Sequence, residues 1–516
     1  MEAGPTRQTR NASRPTVRLL PALPVALALA SGLLVRLWMM KKYYQAGYDS
    51  LVYGGIAKHL LQQGGYLLTR PDGVIQPTLI RLPGYPFFLA ICFRFFGMEN
   101  YASAVWVQIG LEMAGCLLLA DCARRIAPAA LSSRAAHATL WLAALCPFTA
   151  IYSAQPLTES LTLFAIALGL QSLAAFHDRP GWAMALCFTC SVSLAALLRP
   201  DGALVAVALA PAMLLRVWRG EGKLETKNAL KVKRILRAPS ILRCLRKGWD
   251  ARLIRMAFVC TLLALTPFVI WTARNWQVFH VFQPLAPRYA NDPDQTSYPG
   301  WQRWVKTWSL DFISTFDIYW PVPGAPLDLT KLPNRAFDSP EEYAKTAALI
   351  SEYNIEDQAS DIVPEVDERF GLLAEERIHA HPARYYLWLP LGRLADMWLR
   401  PRVEIIYDGG LDWWRYSRHP RQTLVCWAFA GLNGFYLLLA AAGIRLRPRF
   451  WPWMVAYVLM RSGLLMTIES PEARYTLEFF PMLFVLGGIG WSEGWRRLAA
   501  RFLTVNIADF KTLLSK

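Results

Sequence analysis

Six short polar clusters interrupt an otherwise apolar chain. They are Tyr48-Asp49, Arg81 to Pro86 (Arg-Leu-Pro-Gly-Tyr-Pro), Thr158-Glu159-Ser160, Arg199 to Gly202 (Arg-Pro-Asp-Gly), Trp271 to Asn275 (Trp-Thr-Ala-Arg-Asn) and Pro471 to Tyr475 (Pro-Glu-Ala-Arg-Tyr). They lie at span ends or in re-entrant loops, where ionisable groups of a membrane protein are functional candidates. Two kinds of chemistry are available. Carboxylates at Asp49, Glu159 and Glu472 can exchange protons. Guanidinium groups at Arg81, Arg199, Arg274 and Arg474 can grip anions through paired N–H donors. Each residue also has a plainer reading. Asp49 opens a helical pattern through Leu51, Ile56, Leu60 and Leu61 and would serve as its N-cap. Arg81 and Arg199 would snorkel beside prolines. Glu159 suits the first turn of a helix, and Arg474 would pair with Glu472 or Glu478 on a solvated face.

The elements that position these clusters follow from composition. Of 516 residues, 54% are hydrophobic and only 18% charged, and 21 are Trp. As a soluble protein the length would suggest roughly three domains. The low charge and abundant Trp point instead to a polytopic membrane protein. Disordered, collagenous and small disulfide-scaffold classes are excluded. Ten stretches approach the length needed to cross a ~30 Å hydrocarbon core: 17–38, 102–122, 137–153, 158–176, 182–198, 202–218, 256–272, 422–443, 451–468 and 477–494. Two more, 84–96 and 385–399, are short or broken by charges (Arg94; Arg393 and Asp396) and read as re-entrant or interfacial helices.

The net charge of +17 is explained by orientation. With the N-terminus inside, behind Arg7, Arg10, Arg14 and Arg18, the inner segments are the basic ones. The loop from Arg216 to Arg255 carries 13 Lys and Arg against 3 acids, and Arg124, Arg125, Arg134, Arg445, Arg447, Arg449, Arg496, Arg497 and Arg501 fall on the same side. This is the positive-inside pattern, so nucleic acid is not an expected partner. The organisation expected is an N-terminal transmembrane half, 1–272, with an outer loop at 39–101, an extracytoplasmic segment, 273–421, and C-terminal helices and a tail, 422–516. The middle segment is rich in acids (Asp292, Asp294, Asp311, Asp317, Glu341, Glu342) and has Pro-rich turns from Trp320 to Pro326. None of the nine cysteines lies in it. In this topology all six polar clusters fall on the outer face, which suggests one outward-facing site at the membrane surface. The sequon at Asn11 would lie inside.

Two charges fall mid-span, Glu112 and Arg461. They would pair with each other, or Arg461 would face a water-filled cavity. His379 and His381 are spaced too closely to suggest a shared metal. No metal-ligand set emerges, and a divalent metal requirement stays open.

The order of the clusters resembles the polytopic glycosyltransferases of the GT-C fold, in the branch of the protein mannosyltransferases and the lipid A aminoarabinose transferases. The resemblance covers most of 30–280 and about 450–490. It rests on Asp49 with Tyr53, on Arg81 to Pro86, on Thr158-Glu159, on Leu198-Arg199-Pro200-Asp201-Gly202, on Trp271, Arg274 and Asn275, and on Glu472-Ala473-Arg474-Tyr475. Asp49-Ser50 stands where many relatives have Asp-Glu, and Leu82 stands where they have a first proline. The resemblance implies an all-α membrane enzyme that moves a sugar from a polyprenyl-phosphate donor to an acceptor, whether lipid A, an envelope glycan or a protein, with inversion. It implies Asp49 as general base, with Glu159 or Glu472 supplying any second acid. Arg81, Tyr85, Arg199, Arg274, Arg474 and Tyr475 would hold the donor phosphate. Lipid-linked glycan transport is the alternative, though it would be expected to show internal repeats, and an O-antigen-ligase-type enzyme is another. The compact N-terminus and the lack of a retention signal favour a bacterial inner (plasma) membrane, with the endoplasmic reticulum left open.

Overall fold

In the computed structural model, residues 22–70, 72–219, 251–355, 361–407 and 420–514 are described. The N-terminal arginines, the Asn11 sequon and most of the basic loop 216–255 lie outside them. The chain is almost wholly helical. Helix α1 (Ala22–Tyr43) leads to α2 (Tyr48–Gln62) and to an antiparallel ribbon of β1 (Leu67–Thr69) and β2 (Ile75–Pro77), in which Leu68 faces Gln76. Then come α3 (Gly84–Phe96), α4 (Tyr101–Ile126), α5 (Ser132–Ala144), α6 (Pro147–Ser153), α7 (Glu159–Asp178), α8 (Trp182–Leu198), α9 (Ala203–Arg219) and α10 (Ala251–Phe279). The middle segment holds α11 (Pro299–Lys306), α12 (Pro340–Ile355), α13 (Pro364–Ala380) and α14 (Leu389–Leu399). The chain closes with α15 (Pro420–Arg445), α16 (Trp451–Leu465) and α17 (Phe480–Leu514).

Among the described residues, six helices are long and apolar enough to cross a membrane: α1, α4, α7, Pro200–Val217, α10 and α15. The sequence suggested ten. The expected span 137–153 is broken into α5 and α6, bent by 51°, and makes a seventh if the pair crosses as one. Pro147 opens α6 and has no N–H to donate, so carbonyls at the end of α5 lose helical partners. Arg36 of α1 takes them up. It donates to Ala144 O at 2.6 Å and Ala143 O at 3.4 Å, and to Gly32 O of its own helix at 3.1 Å. Its charge is balanced by Glu112 of α4 at 2.9 Å. Glu112 therefore pairs with Arg36 and not with Arg461, and the two mid-span charges singled out in the sequence belong to separate networks. The stretches 84–96 and 182–198 form shorter apolar helices, and 451–468 contracts to the 15 residues of α16.

The main core is a bundle in which α4 packs on α5 and α7, α7 on α8, and α17 on α5 and α15. Backbones approach closely where small residues allow it. A Cβ added to Gly488 of α17 would lie 2.1 Å from the Thr139 hydroxyl of α5. The middle segment has a separate core of Trp301, Trp304, Trp308, Tyr353 and Phe370. Asp367 of α13 accepts from the N–H groups of Gly300 and Trp301 at 3.0 and 2.8 Å, satisfying the free donors at the start of α11. All eight cysteines among the described residues are unpaired.

Candidate functional site

Five of the six sequence clusters, far apart along the chain, meet at one place, with Asp49 among them. Asp49 sits in the first turn of α2, but the N-cap of that helix is Gly47, with no side-chain cap. Its carboxylate is turned elsewhere. One oxygen accepts from Arg81 Nη2 at 2.9 Å, the other from Arg474 Nη2 at 3.2 Å. Arg81 lies in the loop between β2 and α3. Tyr66 O–H donates to the Arg81 carbonyl at 3.0 Å, and the guanidinium lies over the Tyr53 ring. Gly84 brings this loop in: a Cβ there would meet the Leu197 carbonyl at 2.7 Å, so only glycine lets the start of α3 rest against the end of α8.

That end of α8 carries Arg199. It reaches Glu159, the first residue of α7, at 3.2 Å, and Asp201 and Glu478 at 3.3 Å each. Arg474 lies in the 3-10 segment Ala473–Phe479 that leads into α17, and its Nε is 2.5 Å from Glu472. Tyr475 O–H donates to Glu472, and its ring lies under Arg199. Behind them the fully buried Arg461 of α16 bridges Asp201 at 2.7 Å and Glu478 at 3.0 Å, and donates to the Tyr475 carbonyl. Arg461 thus faces neither Glu112 nor an open water-filled space. It anchors the carboxylates that hold Arg199.

Of these residues Asp49, Tyr53, Arg81, Glu159, Arg199, Arg474 and Tyr475 line a cavity of about 340 Å³. Its charged lining is four arginines (Arg81, Arg199, Arg288, Arg474) and two carboxylates (Asp49, Glu159). An anionic group is the complement of such a lining. Burial alone would push Asp49 up, but the Arg474 and Arg81 charges outweigh it and hold the carboxyl below its ordinary value of 3.8. Asp49 is therefore ionised at neutral pH. Glu472 is almost fully buried, and that burial pushes it above its ordinary 4.5 despite Arg474.

Arg288 was not singled out in the sequence. It lies in a Pro-rich loop after α10 where one more arginine gives no signal. It is 63% exposed, and its ion pair to Glu469 is long, at 3.7 Å. Asp201 and Glu478 did carry a signal, since each is an acid at the edge of an apolar run.

Two proposed phosphate ligands lie outside the cavity lining. Arg274 donates to the backbone carbonyls of Thr78 and Tyr66 at 2.8 and 2.9 Å and stacks among Tyr66, Trp271 and Phe279. It ties α10 to the first outer loop. Asp292 adds a second tie, accepting from Leu79 N at 2.7 Å. Tyr85 is buried beneath Tyr53 and donates to Gln108, so its hydroxyl supports the site from below. Among the described residues no group of three His, Cys, Asp or Glu side chains is placed to hold a metal ion. His379 and His381 lie at the end of α13, away from the cavity.

The fold and the cavity together define an all-α polytopic membrane protein with an arginine-lined polar site. No protein-family model matches the sequence, and no curated protein sequence matches it. Solved structures give weak likenesses of overall helix arrangement. An oligosaccharyltransferase of Archaeoglobus fulgidus, crystallised with zinc and sulfate, is 12% identical with a TM-score of 0.47, over 94% of this chain and 51% of that one. ArnT of Cupriavidus metallidurans, bound to undecaprenyl phosphate, is 15% identical with a TM-score of 0.37, over 91% of this chain and 78% of that one. The chain spans about half the length of the archaeal oligosaccharyltransferase.

Proposed function

We propose that the protein is a membrane glycosyltransferase that moves a sugar from a polyprenyl-phosphate donor to a hydroxyl-bearing acceptor. The observation that carries this reading is the carboxylate of Asp49 held between Arg81 and Arg474 in an arginine-lined cavity. In the proposed step the acceptor oxygen bonds to the anomeric carbon as the bond from that carbon to the phosphate oxygen breaks. The electron pair leaves with the polyprenyl phosphate, and the hydroxyl proton passes to Asp49. A single displacement inverts the anomeric centre. The arginines stabilise the charge gathering on the leaving phosphate, where fixed donors in a water-poor site act most strongly. In this reading Arg81, Arg199, Arg288 and Arg474 hold the phosphate, and Tyr475 positions Arg199 by its ring. Glu159 and Glu472 hold Arg199 and Arg474 in place.

Binding of undecaprenyl phosphate to the full chain in nanodiscs tests the phosphate site. Arg81→Ala and Arg288→Ala should each weaken it by roughly 10- to 150-fold, the loss of one charge-assisted bond worth ~1.5–3 kcal/mol. Arg81→Lys should recover only part, because the ammonium lacks the planar fork. Parental binding by both alanine variants would overturn the assignment.

The site is proposed to face outward from a bacterial inner (plasma) membrane, toward the periplasm. Reporter fusions after Gly220 and after Arg449 should then read as cytoplasmic and fusions near Asp294 as external. A cytoplasmic reading at Asp294 would place the site on the other face. Lipid A, an envelope glycan and an exported protein are the acceptor classes in view.

A further inference from the structure

A groove of about 710 Å³ is lined by α5, α15 and α17 and has no residue in common with the cavity around Asp49. It lies toward the other end of the bundle. Helix α17 starts next to Glu478, which pairs with Arg199, and reaches Trp491 about three turns later. Glycines seat α17 against both neighbours. A Cβ on Gly490 would lie 2.3 Å from the Leu439 carbonyl of α15, as one on Gly488 would meet Thr139 of α5. Trp491 and Trp495, the large residues of α17 in the wall, stay 44% and 56% exposed. Tyr436 O–H donates to the Leu142 carbonyl at 2.9 Å and ties α15 to α5.

The wall changes character along its length. Arg134, His137, Trp141 and Leu145 form one stripe of α5, three or four residues apart. From Arg134 to Leu145 the rise is about 16 Å, half of a ~30 Å hydrocarbon core. The stripe thus covers one leaflet, with its charge at the basic end of the bundle, where Arg124, Arg125 and Arg445 also end their helices. Arg134 is exposed and has no hydrogen-bond or ion-pair partner among the described residues. No carboxylate among them lines the groove. Glu493, beside Ser492 of the wall, is held at 2.7 Å by both Arg496 and Arg497. His137 engages the Ser133 carbonyl through Nδ1 at 2.9 Å, which leaves Nε2 as an acceptor for a hydroxyl.

At this depth in a membrane-spanning bundle a groove meets acyl chains and not water. Its unpaired cation at one end and its leucines at the other match a lipid from headgroup to chain. An ammonium headgroup would meet Arg134 with no acid in the wall, so the charge favours an anionic lipid. We propose that the groove is a binding site for a phospholipid with a net-negative, hydroxyl-bearing headgroup, such as phosphatidylglycerol. Its phosphate lies at Arg134, one chain runs along Trp141, Leu145 and Leu432, and Trp491 and Trp495 sit at headgroup depth.

Native mass spectrometry tests this on the full chain, released from micelles that carry equal amounts of phosphatidylglycerol and phosphatidylethanolamine. The parent should keep one phosphatidylglycerol with about fivefold preference, the effect of one basic residue at an anionic headgroup. Arg134→Gln should bring the ratio near one, and Arg134→Lys should keep it. Ala138→Phe, which puts a ring into the groove, should remove the bound lipid of either kind. Melting curves check each variant, and Arg134→Gln, at an exposed and unpaired position, carries the comparison if Ala138→Phe does not fold. Undecaprenyl phosphate binding by the same proteins should stay parental. Equal retention of the two lipids by the parent, a parental ratio in Arg134→Gln, or parental retention by a folded Ala138→Phe would overturn the proposal. So would loss of undecaprenyl phosphate binding in Arg134→Gln, which would give the groove to that lipid, or a dimer that Ala138→Phe dissolves, which would give it to a second copy of the chain.

Discussion

Asp49→Asn is expected to lower sugar transfer by about 10²-fold or more, within the ~10²–10⁴ range of general-base contributions. The amide keeps the size of the side chain and an acceptor oxygen for one guanidinium, but it cannot take a proton. The helix start is unaffected, because Gly47 and not Asp49 is the N-cap of α2. What is lost is the negative charge and with it both ion pairs, to Arg81 and Arg474, with one hydrogen bond kept, a change of about 1.5–3 kcal/mol at this partly exposed side chain. A melting curve should therefore shift modestly while transfer from a radiolabelled polyprenyl-phosphate donor collapses. The pH profile supplies a second readout. A base works only when deprotonated, so rate is lost as pH falls through its pKa. Asp49 is held below 3.8 by Arg474 and Arg81 against the upward push of burial, which puts the acid limb below the ordinary carboxylate range. Glu472 is pushed above 4.5, so a base there would bring the limb up. An acid limb above 4.5 together with near-parental transfer by Asp49→Asn would move the base to Glu472.

What the sequence made legible was chiefly the set of residues at the ends of apolar stretches. Asp49, Arg81, Glu159, Arg199, Glu472, Arg474 and Tyr475 come together, because a charge at the edge of an apolar run must find a partner or water. Partners themselves were not legible. Arg36 lies inside the first apolar stretch, and nothing local says that it meets the broken end of α5 and Glu112 more than seventy residues away. Arg274 looked like its fellow arginines, since residue type does not distinguish a guanidinium that binds a ligand from one that collects backbone carbonyls. The break of the expected span 137–153 into two helices was hidden for a similar reason. Hydropathy records apolar character, whereas a proline such as Pro147 and the carbonyls it frees decide where a helix stops.

Arg461→Ala should give the largest loss of stability of any single change around the site. The side chain is fully buried and bridges Asp201 and Glu478, which otherwise share only Arg199. Deleting one member of a buried charge network leaves the others uncompensated, at a cost of ~3–5 kcal/mol. That is a large part of the ~5–15 kcal/mol that holds a typical domain together. The same change frees the carboxylates to draw Arg199 away from the cavity, so any folded fraction should bind undecaprenyl phosphate less well. Charge, and not merely volume, is the cause, and a paired substitution separates the two. Arg461→Met fills much of the space and still leaves two buried acids, so it should also destabilise. Adding Glu478→Gln removes one of those acids and should recover part of the melting temperature, a coupling that contacting residues show and distant ones do not. Thermal unfolding of the three variants in one detergent would decide it. If Arg461→Met melts within about 1 kcal/mol of the parent and Glu478→Gln only adds a further loss, the network does not hold Arg199, and the arginines of the cavity must be positioned from the side of Glu159 and Tyr475.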